Sequence, residues 1–338
     1  MRGELRAEWK LRAITQRKYA VAFGLLCAGM LSVATAYAQS WPDKPVRMIV
    51  PFPAGGSNDI IARQLAQKLS DEFGQQFVID NRGGAGGAIG AQLVATAVPD
   101  GYTLLLNNPG PAIHNVVLRK NPSYRLADFA PIVHIGSASS IVVTNARLPV
   151  ANMKELIAYA KSHPGKLNWA SGGNNSNTHI SIEVLKVATG IDVVHVPYKG
   201  TPPALTDVIS GQADTMFTSV IASEPHIASG RLKVMGVAGA KRHGAIPQVA
   251  TFEEQGIRGA NVYTWFGIVT TAKTPLTIID KLNAALNRAL AMPEIRQRLE
   301  HLGLEVAGGT PAQFGAFMQA EADNLARLIR RGALKMEP

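Results

Sequence analysis

Short apolar runs alternate along this chain with longer segments whose apolar side chains recur every three or four positions. The runs at 46–50, 77–80, 102–106, 132–135, 141–144, 167–170, 193–196, 214–217 and 233–237 predict strands. Ile61, Leu65, Leu69 and Phe73 repeat at helical spacing, and Gly74 follows as a stop. Asn152-Met-Lys-Glu155 resembles a capping box ahead of Leu156 and Ile157. Strand, helix, strand order predicts α/β layers with largely parallel sheets.

The end of the chain reads as helical. Thr274-Pro275 supplies a cap and a first-turn proline, and Ile278, Leu282, Ala285 and Ala289 form one stripe. A second helix over 293–302 ends at Gly303, and Thr310-Pro311 starts a third that carries Phe314, Phe317, Ala320 and Ala322. Extended stretches near 135–144 and 262–271 are placed to cross between two lobes. That predicts lobe 1 from 39–137 plus 267–338 and lobe 2 from 138–266, closing on a ligand between them.

The N-terminus carries a different signal. The first 18 residues hold six basic side chains and two acidic ones, an apolar centre follows over 21–31, and Ala36-Tyr37-Ala38 ends the stretch. This order predicts a secretory signal, 1–38, cleaved after Ala38, and hence a periplasmic protein. Cys27 lies inside it, behind Leu25 and Leu26, where a lipoprotein would want small residues.

Of the 338 residues, 46% are apolar, 17% charged and 6% aromatic, so a large packed core is within reach. The formal net charge of +10 includes the basic N-terminus, and the remaining Lys and Arg are scattered among acids. Nucleic-acid binding would favour a basic stripe interleaved with aromatics, so no nucleic-acid partner is expected. The one local basic cluster, Arg327, Arg330, Arg331 and Lys335, reads as helix surface. The single cysteine excludes an internal disulfide and a multi-cysteine zinc site.

Three small polar loops each follow a predicted strand and precede a helical pattern. They are Pro51-Phe-Pro-Ala-Gly-Gly-Ser-Asn-Asp59, Ser171-Gly-Gly-Asn-Asn-Ser-Asn-Thr-His179 and Tyr198-Lys-Gly-Thr-Pro-Pro203. The first N–H groups of a helix lack intrahelical acceptors and carry partial positive charge, so anions settle there. Any one such loop also serves as an ordinary turn and cap. Several of them at the carboxyl ends of strands point to a ligand site.

Asn81-Arg-Gly-Gly-Ala-Gly-Gly-Ala-Ile-Gly90 lacks the dinucleotide spacing and reads as a tight turn with close packing, Arg82 making a structural contact or a ligand contact. There is no Gly-x-Ser-x-Gly elbow and no P-loop, and no two histidines stand at short metal-ligand spacing. No cofactor and no metal are expected. His179 reads as a residue that orients its loop or touches ligand.

These loops, in this order, resemble the Bug family of periplasmic solute receptors, the extracytoplasmic receptors of tripartite tricarboxylate transporters. The matching stretches include Ile49-Val-Pro-Phe-Pro-Ala-Gly-Gly56, Asn81-Arg-Gly-Gly-Ala-Gly-Gly87, Pro99-Asp-Gly-Tyr-Thr-Leu-Leu105, His195-Val-Pro-Tyr-Lys-Gly200, Gly211-Gln-Ala-Asp214, Trp265-Phe-Gly267 and Gly308-Gly-Thr-Pro311. The resemblance implies a two-lobed periplasmic binding protein of the type II class with hinge strands. It also implies a monomer that captures a small organic carboxylate and delivers it to a tripartite tricarboxylate-type membrane permease.

Carried over, the first-lobe contacts are Phe52, Ala54, Gly55, Gly56, Ser57 and Asn58. Those of the second lobe are Ser171, Gly172, Gly173, Asn174, Ser176 and His179. Asn107, Asn108, Ser137 and Thr218 fall at positions that select the far end of the ligand. Asn58 stands where the family often has Thr, Asn174-Asn-Ser-Asn-Thr replaces a more Gly/Ser-rich run, and Thr218 stands where Asp is common. Losing that carboxylate disfavours an amino-acid ligand and favours a plain mono- or dicarboxylate, aromatic ones included. Two rivals remain from the sequence: an exported hydrolase or isomerase with a scattered catalytic site, and a receptor that presents its ligand to a sensor kinase.

Overall fold

The structure, a computed structural model, describes residues 41–330. The expected signal with its cleavage point after Ala38, Cys27, Arg331 and Lys335 lie outside them. The described chain from Lys44 on forms one compact unit.

Its strands fall into two sheets. The first is built from β1 (Val46–Val50), β2 (Phe77–Asn81), β3 (Thr103–Asn107), β4 (Phe129–Ser139), β10 (Tyr263–Thr271) and β11 (Leu304–Val306), in the order β11-β4-β10-β3-β1-β2. The second holds β5 (Ile141–Asn145), β6 (Asn168–Ser171), β7 (Val194–Pro197), β8 (Thr215–Thr218) and β9 (Leu232–Val237), in the order β7-β6-β8-β5-β9. The helices of eight residues or more are α1 (Ser57–Phe73), α2 (Ala88–Ala95), α3 (Met153–Ser162), α4 (Asn177–Thr189), α5 (Thr201–Ser210), α6 (Val220–Ala228), α7 (Leu276–Ala291), α8 (Pro293–His301) and α9 (Pro311–Arg330).

The expectation of largely parallel sheets is corrected. β1 pairs in parallel with β2 and β3, and β6 with β7 and β8. All strand–strand pairings of β10, β11, β5 and β9 within the sheets are antiparallel. The cause is the crossing chain. β10 returns from the second sheet and slots between β3 and β4 in the opposite sense, a long-range pairing that local periodicity does not carry. β11 also went unread, because three residues are too few to show alternation.

Each sheet has its own core. Ile49, Leu105, Trp265, Val269 and Phe314 pack in the first, and Trp169, Phe217, Met235 and Phe252 on one face of the second. Gly267 on β10 has a packing reason, since a Cβ there would lie 2.1 Å from the Phe314 ring. The helix stops fall where the sequence put them: Gly74 takes a left-handed conformation after α1 (φ 66°). Asn152 Oδ1 accepts the Glu155 N–H (3.0 Å), while the Glu155 carboxylate reaches back to the Ala151 N–H (2.8 Å), one residue beyond a regular capping box.

The chain crosses between the sheets at Ser140 and again between β9 and β10. The crossings are stitched by main-chain bonds: Ser140 N–H to Val262 O (3.2 Å), Ala238 N–H to Ser140 O (2.8 Å) and Val262 N–H to Ala238 O (2.9 Å). Above this seam the two halves meet closely. A Cβ on Gly86 would stand 2.2 Å from the Asn174 carbonyl oxygen, and one on Gly200 2.4 Å from Pro53 Cδ. The cleft is therefore shut in this structure.

Candidate functional site

Between the two halves lies a partly open cavity of about 60 Å³, lined from both. By that measure one water needs ~10–15 Å³, so only a few water-sized groups fit without opening. Four helix N-termini converge on it. Gly56, Ser57 and Asn58 come from α1, Ser176, Asn177 and Thr178 from α4, Thr201 and Pro202 from α5, and Ser219 from α6. Ser140, Thr264 and Phe266 enter from the crossing strands, and Phe52 from the loop ahead of α1. No Asp, Glu, Lys, Arg or His lines the cavity. Its electrostatics are set by main-chain N–H groups and hydroxyls, which favour an anion.

Capping differs among the four ends. No N-cap side chain bonds the first turn of α1, α5 or α6, whereas Ser176 Oγ caps α4 by accepting the His179 N–H (3.3 Å). Prolines at positions 202 and 203 leave Thr201 as the N–H donor in the first turn of α5.

The first loop is fixed by Asp59. Its carboxylate accepts the Gly55 N–H (3.0 Å), Arg63 Nε (2.9 Å) and Asn81 Nδ2 (3.0 Å), and Asn81 also donates to the Phe52 carbonyl (3.0 Å). Burial pushes the Asp59 carboxyl up, but the bonds from Arg63, Gly55 and Asn81 outweigh it and hold the group below its ordinary value. Asn58 Nδ2 donates to the Leu106 carbonyl (3.3 Å), and Asn108 Nδ2 donates to Asn58 Oδ1 (3.0 Å). At the far side Ser57 Oγ meets Ser219 Oγ at 2.7 Å.

Of the residues singled out from sequence, Phe52, Gly56, Ser57, Asn58, Asn108, Gly172, Ser176 and Thr218 line this cavity. Thr218 Oγ1 is buried without a partner. Gly55 sits behind it, beside Thr201 and His226 in a separate hollow, and its N–H is taken by Asp59. Ala54 is exposed and is not part of the lining. Asn107 is fully buried beneath it, with Nδ2 unpartnered.

Ser137 lies elsewhere, in a groove of about 890 Å³ on the crossing strands lined also by Lys241, Arg242 and Arg296. That groove is larger, but no helix of eight residues or more begins in it, so the smaller cavity is the better site.

Ser171, Gly173, Asn174 and His179 shape the second loop from outside the cavity. Gly172 N–H donates to Thr178 Oγ1 (2.8 Å), Gly173 N–H to Ser171 Oγ (3.1 Å), Asn175 N–H to His179 Nδ1 (3.1 Å) and Ser176 N–H to Gly173 O (3.1 Å). His179 thus orients its loop. The second-loop N–H groups before α4 are largely spent on protein acceptors, which shifts the open donors toward the first turns of the helices.

Sequence reasoning missed the end of α6 with Ser219, and Ser140, Thr264 and Phe266 from the crossings. A serine before Val220 was the only local sign of a cap. The glycine turn packs as expected: a Cβ on Gly90 would stand 2.8 Å from the Arg82 carbonyl, and Arg82 itself pairs with Asp80 (2.8 Å). Among the described residues no cluster of three or more His, Cys, Asp or Glu could hold a metal, and no helix is long and apolar enough to cross a membrane.

Two α/β halves, crossed twice by the chain and closing on a cavity ringed by helix N-termini, define a solute-binding protein of the two-lobed periplasmic type. Comparisons agree. Residues 61–334 match the tripartite tricarboxylate transporter family receptor. BugT of Bordetella pertussis is 33% identical over 316 residues, which cover 93% of this chain and 97% of BugT.

Among solved structures, Rpa4515 of R. palustris with adipate superposes with a TM-score of 0.84 at 32% identity, covering 87% of this chain and 99% of that one. MatC from Rhodopseudomonas palustris with bound malate gives 0.82 at 31%, covering 86% and 100%. The chain belongs to the tripartite tricarboxylate transporter receptor family, the group that includes the Bug proteins. It is a periplasmic solute-binding receptor, not an enzyme.

Proposed function

We propose that the protein captures a small organic carboxylate in the cavity between its lobes and delivers it to a tripartite tricarboxylate-type permease. In this reading main-chain N–H groups in the first turns of α1 and α4 grip one carboxylate. The ends of α5 and α6, with Thr218 and Ser219, meet the far part of the ligand. The lobes are 39–137 with 267–338 and 138–266, hinged at the two crossings. The mature protein starts after Ala38 and acts as a monomer.

The convergence of four helix ends on a cavity without charged side chains carries this reading. Each end presents roughly half a positive charge, so together they suit an anion up to a dicarboxylate. The absence of Asp and Glu from the lining disfavours an amino acid, whose ammonium would lose its water without a partner. Adipate and malate on the two Rhodopseudomonas neighbours belong to the favoured class.

A thermal-shift and calorimetric screen of mono-, di- and tricarboxylates against amino acids tests it. A ligand at about 100 times its Kd adds about 2.7 kcal/mol of stability. A carboxylate response with no amino-acid response is expected. A flat response to every acid overturns the reading.

A further inference from the structure

The second loop is gripped from two sides. From its own lobe, His179 accepts the Asn175 N–H, and its ring stacks on His195 with centroids 4.0 Å apart. His195 Nε2 lies 2.6 Å from Ser171 Oγ, which also accepts the Gly173 N–H.

From the opposite lobe comes His114, the last residue of the π-helical turn Gly110–His114 after β3. It is buried, and the Asn175 and Ser176 backbone lies beside its ring. Its Nδ1 has no partner, which leaves Nε2 as the nitrogen available to that backbone. The ground around it is a docking face. A Cβ on Gly110 would lie 3.4 Å from Ser176 Cα, and Asn115 Nδ2 ties the Gly86 and Gly110 carbonyls together at 3.0 Å each.

We propose that His114 is a positioning residue for ligand capture: its neutral ring, carried by the first lobe, docks on the Asn175–Ser176 backbone and sets the second binding loop as the cleft closes. This rests on the cavity being the carboxylate site. Protonating Nδ1 in the shut form would bury an unpaired charged N–H, at a cost that an open, hydrated ring escapes. Acid therefore favours the open form and weakens capture.

The titratable ring nearest it is His179 on α4, which itself faces Lys186 on the same helix and stacks on His195 of β7, with Arg119 following the turn. Tyr263 and Glu321 line the small hollow that His114 borders. Glu321 is engaged by the Tyr263 hydroxyl (2.7 Å), and Arg119 by Asn115 and the Ala85 carbonyl. Burial holds both His114 and His179 down at about 4, with Lys186 and His114 adding to the effect on His179. A ring moving from ~6.5 when hydrated to about 4 when shut in weakens binding roughly tenfold at pH 5.5 and hardly at all at pH 7.5.

The test is calorimetry with succinate, malate and adipate at pH 7.5 and 5.5, on the wild type, His114→Gln and His114→Phe. Comparison at one pH cancels the ligands' own titration. His114→Gln, which keeps an N–H donor but cannot titrate, should bind within about threefold of wild type at pH 7.5 and lose at least half of the acid weakening. His114→Phe should bind about tenfold more weakly at pH 7.5. Thermal unfolding confirms that each variant is folded, and His114→Asn stands in if the glutamine variant is not. Wild-type affinity that does not fall at pH 5.5, or an acid loss unchanged in His114→Gln, overturns the positioning role while leaving the receptor reading in place. No binding of any of the three acids to wild type at pH 7.5 removes both.

Discussion

Ser57 Oγ and Ser219 Oγ, 162 residues apart in sequence, lie 2.7 Å from one another across the cleft. One opens α1 on the first sheet and the other is the N-cap of α6 on the second. Neither caps its own helix, so both hydroxyls are spent on joining the lobes over the cavity.

That contact gives a double-mutant cycle. Ser57→Ala and Ser219→Ala should each weaken carboxylate binding by about 0.5–1.5 kcal/mol, the worth of one ordinary hydrogen bond. The double variant should lose less than the sum, because the same bond is removed twice. Strict additivity by calorimetry would show that the bond does not form in the ligand-bound state.

Gly86 tests closure separately from folding. A Cβ there meets the Asn174 carbonyl of the opposite lobe at 2.2 Å, and its φ of 63° adds strain of about 1–2 kcal/mol. Gly74 has a similar φ of 66° and open space around it. Gly74→Ala should therefore cost stability alone. Gly86→Ala should lose a comparable amount of stability and, in addition, at least tenfold in affinity. Small-angle scattering should find it open with ligand present. Equal affinities in the two variants would refute the closure argument.

Asp59→Asn removes the charge and turns one of the two oxygens that accept from Gly55, Arg63 and Asn81 into a donor. Because Asp59 is buried, the loss should be about 1–3 kcal/mol of unfolding free energy. Arg63 is largely exposed, so its ion pair contributes the smaller part. The pH dependence has a defined sign. The folded value lies below the ordinary 3.8, so this stabilisation is complete above about pH 4 and is lost as pH falls through the folded value. Denaturation of the wild type should steepen below pH 4, and the variant should lack that component.

Gly267→Ala would drive a methyl into the Phe314 ring, and cores resist added volume at a cost of about 1–3 kcal/mol. Since Gly267 does not itself line the cavity, denaturant midpoints should fall while carboxylate affinity at 25 °C stays within about twofold. A large affinity change would mean that packing strain passes along β10 to its lining residues Thr264 and Phe266.

Much of this was legible without coordinates, because helix caps, stops and buried strands are written in neighbouring residues. The Ile61–Leu65–Leu69 stripe with Gly74 and the glycine-rich loops each specify their conformation within a few positions, whereas the cap expected at Thr274 did not form: Pro275 is itself the N-cap, and Thr274 Oγ1 donates back to the Thr271 carbonyl. The chain order of those loops also carried the family. What short-range pattern does not encode is which distant backbone a strand pairs with. β10 reads as extended, but its antiparallel seat between β3 and β4 comes from the chain's second crossing.

The cavity divides along the same line. Loops before α1, α4 and α5 announce anion-binding ends by composition, so the sequence alone determined that the protein has such ends and which residues build them. Only tertiary structure decided which N–H groups remain open. Thr178, His179 and Ser171 satisfy the second loop from within, and Asp59 takes Gly55. Only tertiary structure, too, brought Ser219 and His114 to the cleft. A hydrogen bond across 50 to 160 residues depends on how two sheets are set against each other, and that arrangement is fixed by core packing and the crossing strands.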